Sequence, residues 1–336
     1  MSSGVEIKNE FLKVAGKEYD IRGICGQISI NESLSRHTTW KIGGPAKIYY
    51  RPGSIKDLQK FIKTFAQEIK IVWLGLGSNV LIRDGGIDGI VINPLGCMNN
   101  IELLTMPQES GNQLEEREQL VSVEAGATCS KFSRTMAEHG LYGSEFLSGI
   151  PGTIGGAIAM NAGAFGGECW EYIEAVESID SHGVIRRREK QEYDIAYRSV
   201  KLKEFDNLPQ RNLLEWFTKG YFRYSKDDSK VKESKQKIRQ LLEKRNLSQP
   251  IKFANAGSVF KNPPGDYAAR LIEACGLKGM TMGKACVSEK HANFIINQGG
   301  ATAGDIENLL LYVQDKVIER FGIKLLPEVR ILGERV

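Results

Sequence analysis

Histidine is scarce in this chain, four in 336 residues. The six cysteines, at positions 25, 97, 129, 169, 275 and 286, form no CxxC pair. A zinc site needs such ligands at short spacing, so no metal is expected. Thiols scattered through a chain of this length imply a reducing, cytoplasmic setting. Charge of one sign is also missing: 45 Lys and Arg face 41 acids, a net of +4. That balance lacks the clustered positive charge of a nucleic-acid binder. Met1 to Gly16 carries charges every few residues and no apolar run, so a signal peptide is not expected. Phe146 to Gly167 is uncharged over 22 residues but holds seven glycines, Pro151 and Asn161. Backbone turns at that density could not be satisfied in lipid, which excludes membrane insertion. Internal repeats and low-complexity tracts are absent.

What is present is a core-forming composition, 41% hydrophobic with 26% charged residues, long enough for about two or three domains. Glycine is in excess: 36 residues, about 11% against a usual ~7%. Along the chain, residues 1–30 read as a mobile extension with weak pattern. Ser54 to Glu68 reads as a helix, with Ser54 and Asp57 as a capping box and Ile55, Leu58, Phe61, Ile62 and Phe65 on one face. A buried strand, Ile71 to Leu74, runs into Gly75-Leu76-Gly77-Ser78-Asn79, and another covers Gly89 to Asn93. Asn99 to Gln119 reads as an exposed loop, followed by a strand from Leu120 to Glu124 and a helix capped by Thr128. Ile173–Ile179 and Val184–Arg188 suit a hairpin around Ser181-His182-Gly183. Lys226 to Arg245 suits a solvated helix, and Tyr267 to Cys275 a short one. Strands are expected near Ala285 and Asn293. The last helix has Thr302 and Asp305 as a capping box, an apolar face from Ile306 to Phe321, and Gly322 as its stop. A final strand is expected over Ile323 to Leu332.

Two glycine-rich segments are the site candidates. After the buried strand, Gly75 and Gly77 let backbone N–H groups converge on an anion, and Ser78 and Asn79 add side-chain donors. The segment is not a G-x-G-x-x-G fingerprint, because Val80 stands where the third glycine belongs, and no G-x-x-x-x-G-K-[ST] loop occurs. The second segment, Ser148 to Gly163, is built of small residues that suit a flat ligand lying along main-chain N–H groups. Together they suit a dinucleotide whose phosphates are held by neutral amides. Either segment could instead be a packed structural turn.

An ordered set of motifs resembles the UDP-N-acetylenolpyruvoylglucosamine reductase (MurB) family, in its shorter second type. The pieces are His37-Thr38-Thr39-Trp40-Lys41-Ile42-Gly43-Gly44, Leu74 to Leu81, Ser148 to Glu168, Tyr197-Arg198-Ser199, Ala256 to Pro263, and Pro327-Glu328-Val329-Arg330, and the unbroken run from Ser258 through Lys290-His291-Ala292-Asn293-Phe294 is similar to that of the shorter second type. The resemblance covers about residues 33–334. It implies an α+β chain with an FAD-binding fold of the vanillyl-alcohol-oxidase/PCMH type and a C-terminal α+β substrate-binding domain. The implied boundaries are an extension at 1–30, an FAD-binding domain at 31–224 with subdomains about 31–96 and 97–224, a linking helix at 225–245, a substrate domain at 246–326, and a returning strand at 327–336.

The resemblance also implies the chemistry. NADPH would reduce a non-covalent FAD, since neither His nor Cys occurs from Leu74 to Leu81 for attachment. Reduced flavin would pass hydride from N5 to C3 of UDP-N-acetylglucosamine enolpyruvate, giving UDP-N-acetylmuramate for peptidoglycan. Gly75, Gly77, Ser78 and Asn79 would hold the FAD pyrophosphate. Ile150, Pro151, Gly152, Gly156 and Gly163 would line the flavin, with Arg245 and Arg330 as further contacts. Arg198 and Glu328 would stabilise the enolate, Glu328 as a protonated acid, and Ser258 would give a proton to C2. Lys261 and Asn262 would touch the substrate. The enzyme is expected to be a cytoplasmic monomer with no nucleic-acid or membrane partner. Two rivals stay open: a flavin oxidase of the same fold, and a non-catalytic nucleotide-sugar binder.

Overall fold

A computed structural model describes residues 5–8, 10–105, 118–203 and 214–336. The content is mixed α+β. The chain forms two units, one of Met1–Ile28, Tyr50–Gly75 and Ile92–Glu243, the other of Ser29–Tyr49, Leu76–Val91 and Lys244–Val336.

In the first unit, part of the segment expected as an extension forms strands. Val5–Lys8, Phe11–Val14 and Lys17–Asp20 form an antiparallel sheet that buries Leu12, Val14 and Tyr19. The strands are four residues each, too short for alternation to register as a pattern. Helix α1 (Ile55–Phe65) carries the expected apolar face, with Leu58, Phe61, Ile62 and Phe65 buried. Its capping box is only half made. Ser54 Oγ accepts from the Asp57 N–H at 3.1 Å, but the Asp57 carboxylate accepts from the N–H groups of Gly53 and Cys25 and from the Tyr50 hydroxyl.

A five-stranded antiparallel sheet forms the rest of this unit's framework. Its order is Ile185–Glu189, Ile173–Asp180, Glu215–Ser225, Glu118–Glu124 and Ile101–Leu104. The predicted hairpin is its first pair. The expected loop at Asn99–Gln119 is paired strand at both ends, and residues 106–117 lie outside the described residues. Helix α2 (Cys129–Glu138) is capped by Thr128, and α3 (Ile154–Ala159) by Thr153. Val121, Phe132, Met136, Ile154, Ile158 and Phe222 share one buried core. Helix α4 (Val231–Ser248) buries only Ser234 and Ile238, as a solvated helix should.

In the second unit, α5 (Ala268–Ala274) and α6 (Ala303–Phe321) pack with Trp40, Val259 and Phe260 into a second core. Helix α6 buries Ile306, Leu309, Leu310, Val313 and Val317, each contributing roughly 1.5–3 kcal/mol. Its capping box is complete, and Gly322 at φ +69° ends it in the left-handed conformation. A three-stranded sheet joins Thr281–Met282, Ala285–Val287 and Ile295–Asn297, so the strand expected near Asn293 begins two residues later. The final strand is only Arg330–Leu332, paired in parallel with Val80–Ile82. Pro327 lacks the N–H that a longer ladder would need.

Candidate active site

The first glycine segment is divided between the units, Gly75 ending a stretch of the first and Leu76 opening one of the second. In the first unit, a Cβ on Gly75 would lie 2.6 Å from Thr153 Oγ1, and the Gly75 carbonyl accepts from Asn93 Nδ2 at 3.1 Å. In the second, Gly77 has φ +69°, and a Cβ there would fall 2.1 Å from the His37 carbonyl oxygen. The Gly77 carbonyl accepts from the Thr39 N–H at 3.1 Å, so the His37-Thr38-Thr39 stretch grips the turn. Only glycine satisfies both the conformation and the space. The chain then enters Val80–Ile82, where the Asn79 carbonyl accepts from the Arg330 N–H and Asn79 Nδ2 donates to the Glu328 carbonyl at 3.3 Å.

The second segment divides into glycines that pack and one that is open. A Cβ on Gly155 would meet Ala125 at 2.8 Å, and one on Gly149 would meet Phe165 at 2.8 Å. For these the structural-turn alternative holds. Gly156 is exposed, and its nearest neighbour would be Thr153 Oγ1 at 3.6 Å. Ile150 and Gly152 are half-buried, Pro151 is exposed, and the Gly152 carbonyl accepts from the Cys129 N–H. Gly163 lies against the Glu168 side chain and Arg198.

Arg198 stands in the two-residue turn between Tyr193–Ala196 and Ser199–Leu202. Its φ is +54°, a strained value for a residue with a side chain. The guanidinium donates to the carbonyls of Asn161, at 3.3 Å, and Gly163, at 2.9 Å. Asn161 itself is buried with φ +40°. Motif reading passed over Asn161 and Glu168; the signal available was that asparagine tolerates the left-handed region better than other residues.

In the second unit the backbone segments that carry Ser258 and Glu328 lie side by side. Phe260 bridges Pro327 in antiparallel fashion, and the Glu328 N–H donates to the Val259 carbonyl at 2.8 Å. Both Ser258 and Glu328 are half-buried. Gly257 before the serine has φ +77° and its N–H donates to Asn255 Oδ1, while a Cβ there would meet no protein atom within 4 Å. Conformation, not crowding within the protein, therefore demands that glycine. Asn293 clamps the same strand, donating from Nδ2 to the Phe260 carbonyl and accepting the Phe260 N–H at Oδ1. Lys261 is half-buried, and its N–H donates to the Leu326 carbonyl. Asn262 is exposed, with Oδ1 accepting from the Ala268 N–H at the start of α5. Arg330 is exposed at the head of its strand.

Arg245 is half-buried, and burial lowers its pKa from the usual guanidinium value. Among the described residues its polar partner is neutral, Gln249 Oε1 at 3.1 Å. A desolvated cation beside a neutral amide suits an anionic ligand. Within the first unit, the open Gly156 leaves room for a flat ligand such as FAD to approach the backbone. No group of three or more His, Cys, Asp or Glu suited to a metal occurs among the described residues.

Comparison with known proteins gives the context. Residues 46–188 match an FAD binding domain family, and residues 249–332 match the C-terminal domain of UDP-N-acetylenolpyruvoylglucosamine reductase. Among curated relatives named UDP-N-acetylenolpyruvoylglucosamine reductase, that of Nitrosococcus oceani is 47% identical over 90% of this chain and 93% of its own. That of Alkalilimnicola ehrlichii is 45% identical over 92% and 96%. The crystal structure of the Thermus caldophilus reductase superposes with a TM-score of 0.68 at 30% identity, covering 91% of this chain and 98% of its own. The FAD-binding fold and C-terminal reductase domain implied by the motifs are therefore present. The chain belongs to the UDP-N-acetylenolpyruvoylglucosamine reductase family.

Proposed function

We propose that Arg198, Ser258 and Glu328 are the groups with which this chain handles the enolpyruvyl ether of UDP-N-acetylglucosamine. The chain is an FAD-dependent UDP-N-acetylmuramate dehydrogenase, acting in peptidoglycan precursor synthesis. Gly75, Gly77, Ser78 and Asn79 would hold the FAD pyrophosphate through neutral donors, and Ile150, Pro151, Gly152, Gly156 and Gly163 would line the ring. Arg245 and Arg330 would add positive charge, and Lys261 and Asn262 would contact the UDP-sugar. Bound FAD would supply the hydride chemistry between NADPH and C3 of the enolpyruvyl group.

What the residues must manage is charge. As C3 gains hydride, electron density moves from C2 into a group already bearing a carboxylate. Arg198, permanently protonated, would meet that charge with a fixed fork of donors. Glu328 would serve as a neutral acid donating a hydrogen bond to the same carboxylate. Ser258 would pass its hydroxyl proton to C2 and be reprotonated from solvent, which completes the reduction. One observation supports the reading above the others: the Glu328 N–H is bonded to the Val259 carbonyl, so its backbone runs beside the segment that carries Ser258. We further propose a cytoplasmic monomer; six unpaired thiols fit a reducing compartment.

The test is sequential and anaerobic. NADPH is added to the purified yellow protein, then the enolpyruvyl substrate. Bleaching followed by substrate-driven return of colour is the expected result. Bleaching without return would favour an oxidase, and a colourless protein that takes up no FAD would favour a binding module.

A further inference from the structure

Asn161 and Arg198 are both non-glycine residues in the left-handed region, and they face each other. Asn161 is 1% exposed, and its side chain is bonded at both ends. Oδ1 accepts from the Trp170 N–H at 3.1 Å, while Nδ2 donates to Glu168 Oε2 at 2.8 Å and to the Ala196 carbonyl at 3.4 Å. The Asn161 N–H donates to the Ile158 carbonyl at the end of α3. Its own carbonyl is thereby turned toward Arg198 Nη1. The short ladder pairing Gly163 with Glu168 places the Gly163 carbonyl toward Nη2. Two main-chain acceptors, spaced to match the guanidinium fork, thus set the plane of Arg198.

We propose that Asn161, braced by Glu168, is the positioning residue that aims the Arg198 guanidinium at the substrate carboxylate. This rests on the role given to Arg198 above. Asparagine suits the place because its short amide tolerates φ +40° while supplying both an acceptor for Trp170 and a donor for Glu168. Alanine would remove the bracing and strain the backbone. Glycine would keep the conformation accessible and remove only the bracing, so that the carbonyls lose their fixed direction.

The test uses the FAD-loaded enzyme and follows its two half-reactions separately by flavin absorbance. Asn161→Gly should retain FAD and be bleached by NADPH at close to the parent rate. Reoxidation by the enolpyruvyl substrate should slow by about 10- to 100-fold, the scale of a misaimed group. Asn161→Asp, with a carboxylate facing Glu168, should be no better, whereas Glu168→Gln, which keeps an oxygen acceptor for Asn161, should restore most of the rate lost in Glu168→Ala. In Arg198→Ala, adding Asn161→Gly should cause little further loss, because the two act as one unit. Equal slowing of both half-reactions in Asn161→Gly, or losses that multiply in the double variant, would reduce Asn161 to a structural residue and overturn the proposal. If Arg198→Ala alone leaves reoxidation unchanged, the role of Arg198 itself fails. If Arg198→Ala slows reoxidation and Asn161→Gly does not, only the inference about Asn161 fails.

Discussion

Gly77 shows how much rests on a missing side chain. With φ +69° and the His37 carbonyl 2.1 Å from where a Cβ would stand, Gly77→Ala must shift backbone. The expected cost is about 1–3 kcal/mol or more, with loss of bound FAD, read from the unfolding midpoint and the flavin absorbance of the purified protein. Ser258→Ala should spare flavin reduction by NADPH and slow substrate reduction by roughly 100-fold or more, the usual scale for a proton-transfer group; equal loss in both half-reactions would reject the proton-donor role. A third residue concerns pH. Arg83 chiefly, then Arg335, holds the Glu307 carboxyl down to about 2. Because its folded pKa lies below the unfolded value, the stabilisation is whole above about pH 4.5 and is lost as pH falls toward 2. Denaturant titrations across that window should show the loss, and Glu307→Gln should flatten it. Motifs named single residues such as Arg198, Ser258 and Glu328. They did not name Asn161 or Glu168, whose bonds to each other and, for Asn161, to Arg198, Trp170 and Ala196 are made only in the fold.

Elements were legible where their signals are local. Helices α1 and α6 announced themselves by caps and by apolar residues at helical spacing, and both form within a few residues of the expected limits. Thr302→Ala tests that logic. It removes the acceptor for the Asp305 N–H, and about 1 kcal/mol of stability should go with it, measured by denaturant unfolding with FAD bound. Elements made of a few residues were illegible. The N-terminal strands and Val80–Ile82 are three or four residues long, and their stability comes from partners rather than propensity. Residues 323–329 look as strand-like as 330–332, yet only the latter find a ladder partner.

For the whole molecule, the cofactor should act as a ligand that stabilises the folded chain. Removing FAD should lower the unfolding midpoint, and re-adding it should restore it progressively, by about 4 kcal/mol at a thousandfold excess over Kd; a midpoint indifferent to FAD would contradict binding by the glycine segments. The sequence alone determined the chemistry this chain carries, the class of its fold and the starts of its long helices, because motif order, caps and periodicity are written in neighbouring residues. Only the tertiary structure decided which glycines are packed and which open, that Glu328 lies beside the Ser258 strand, and that Asn161 supports Arg198. Those facts rest on hydrogen bonds between residues far apart in the chain, such as the 37 positions from Asn161 to Arg198, and a distance of that kind is settled only when the core around the bond has formed.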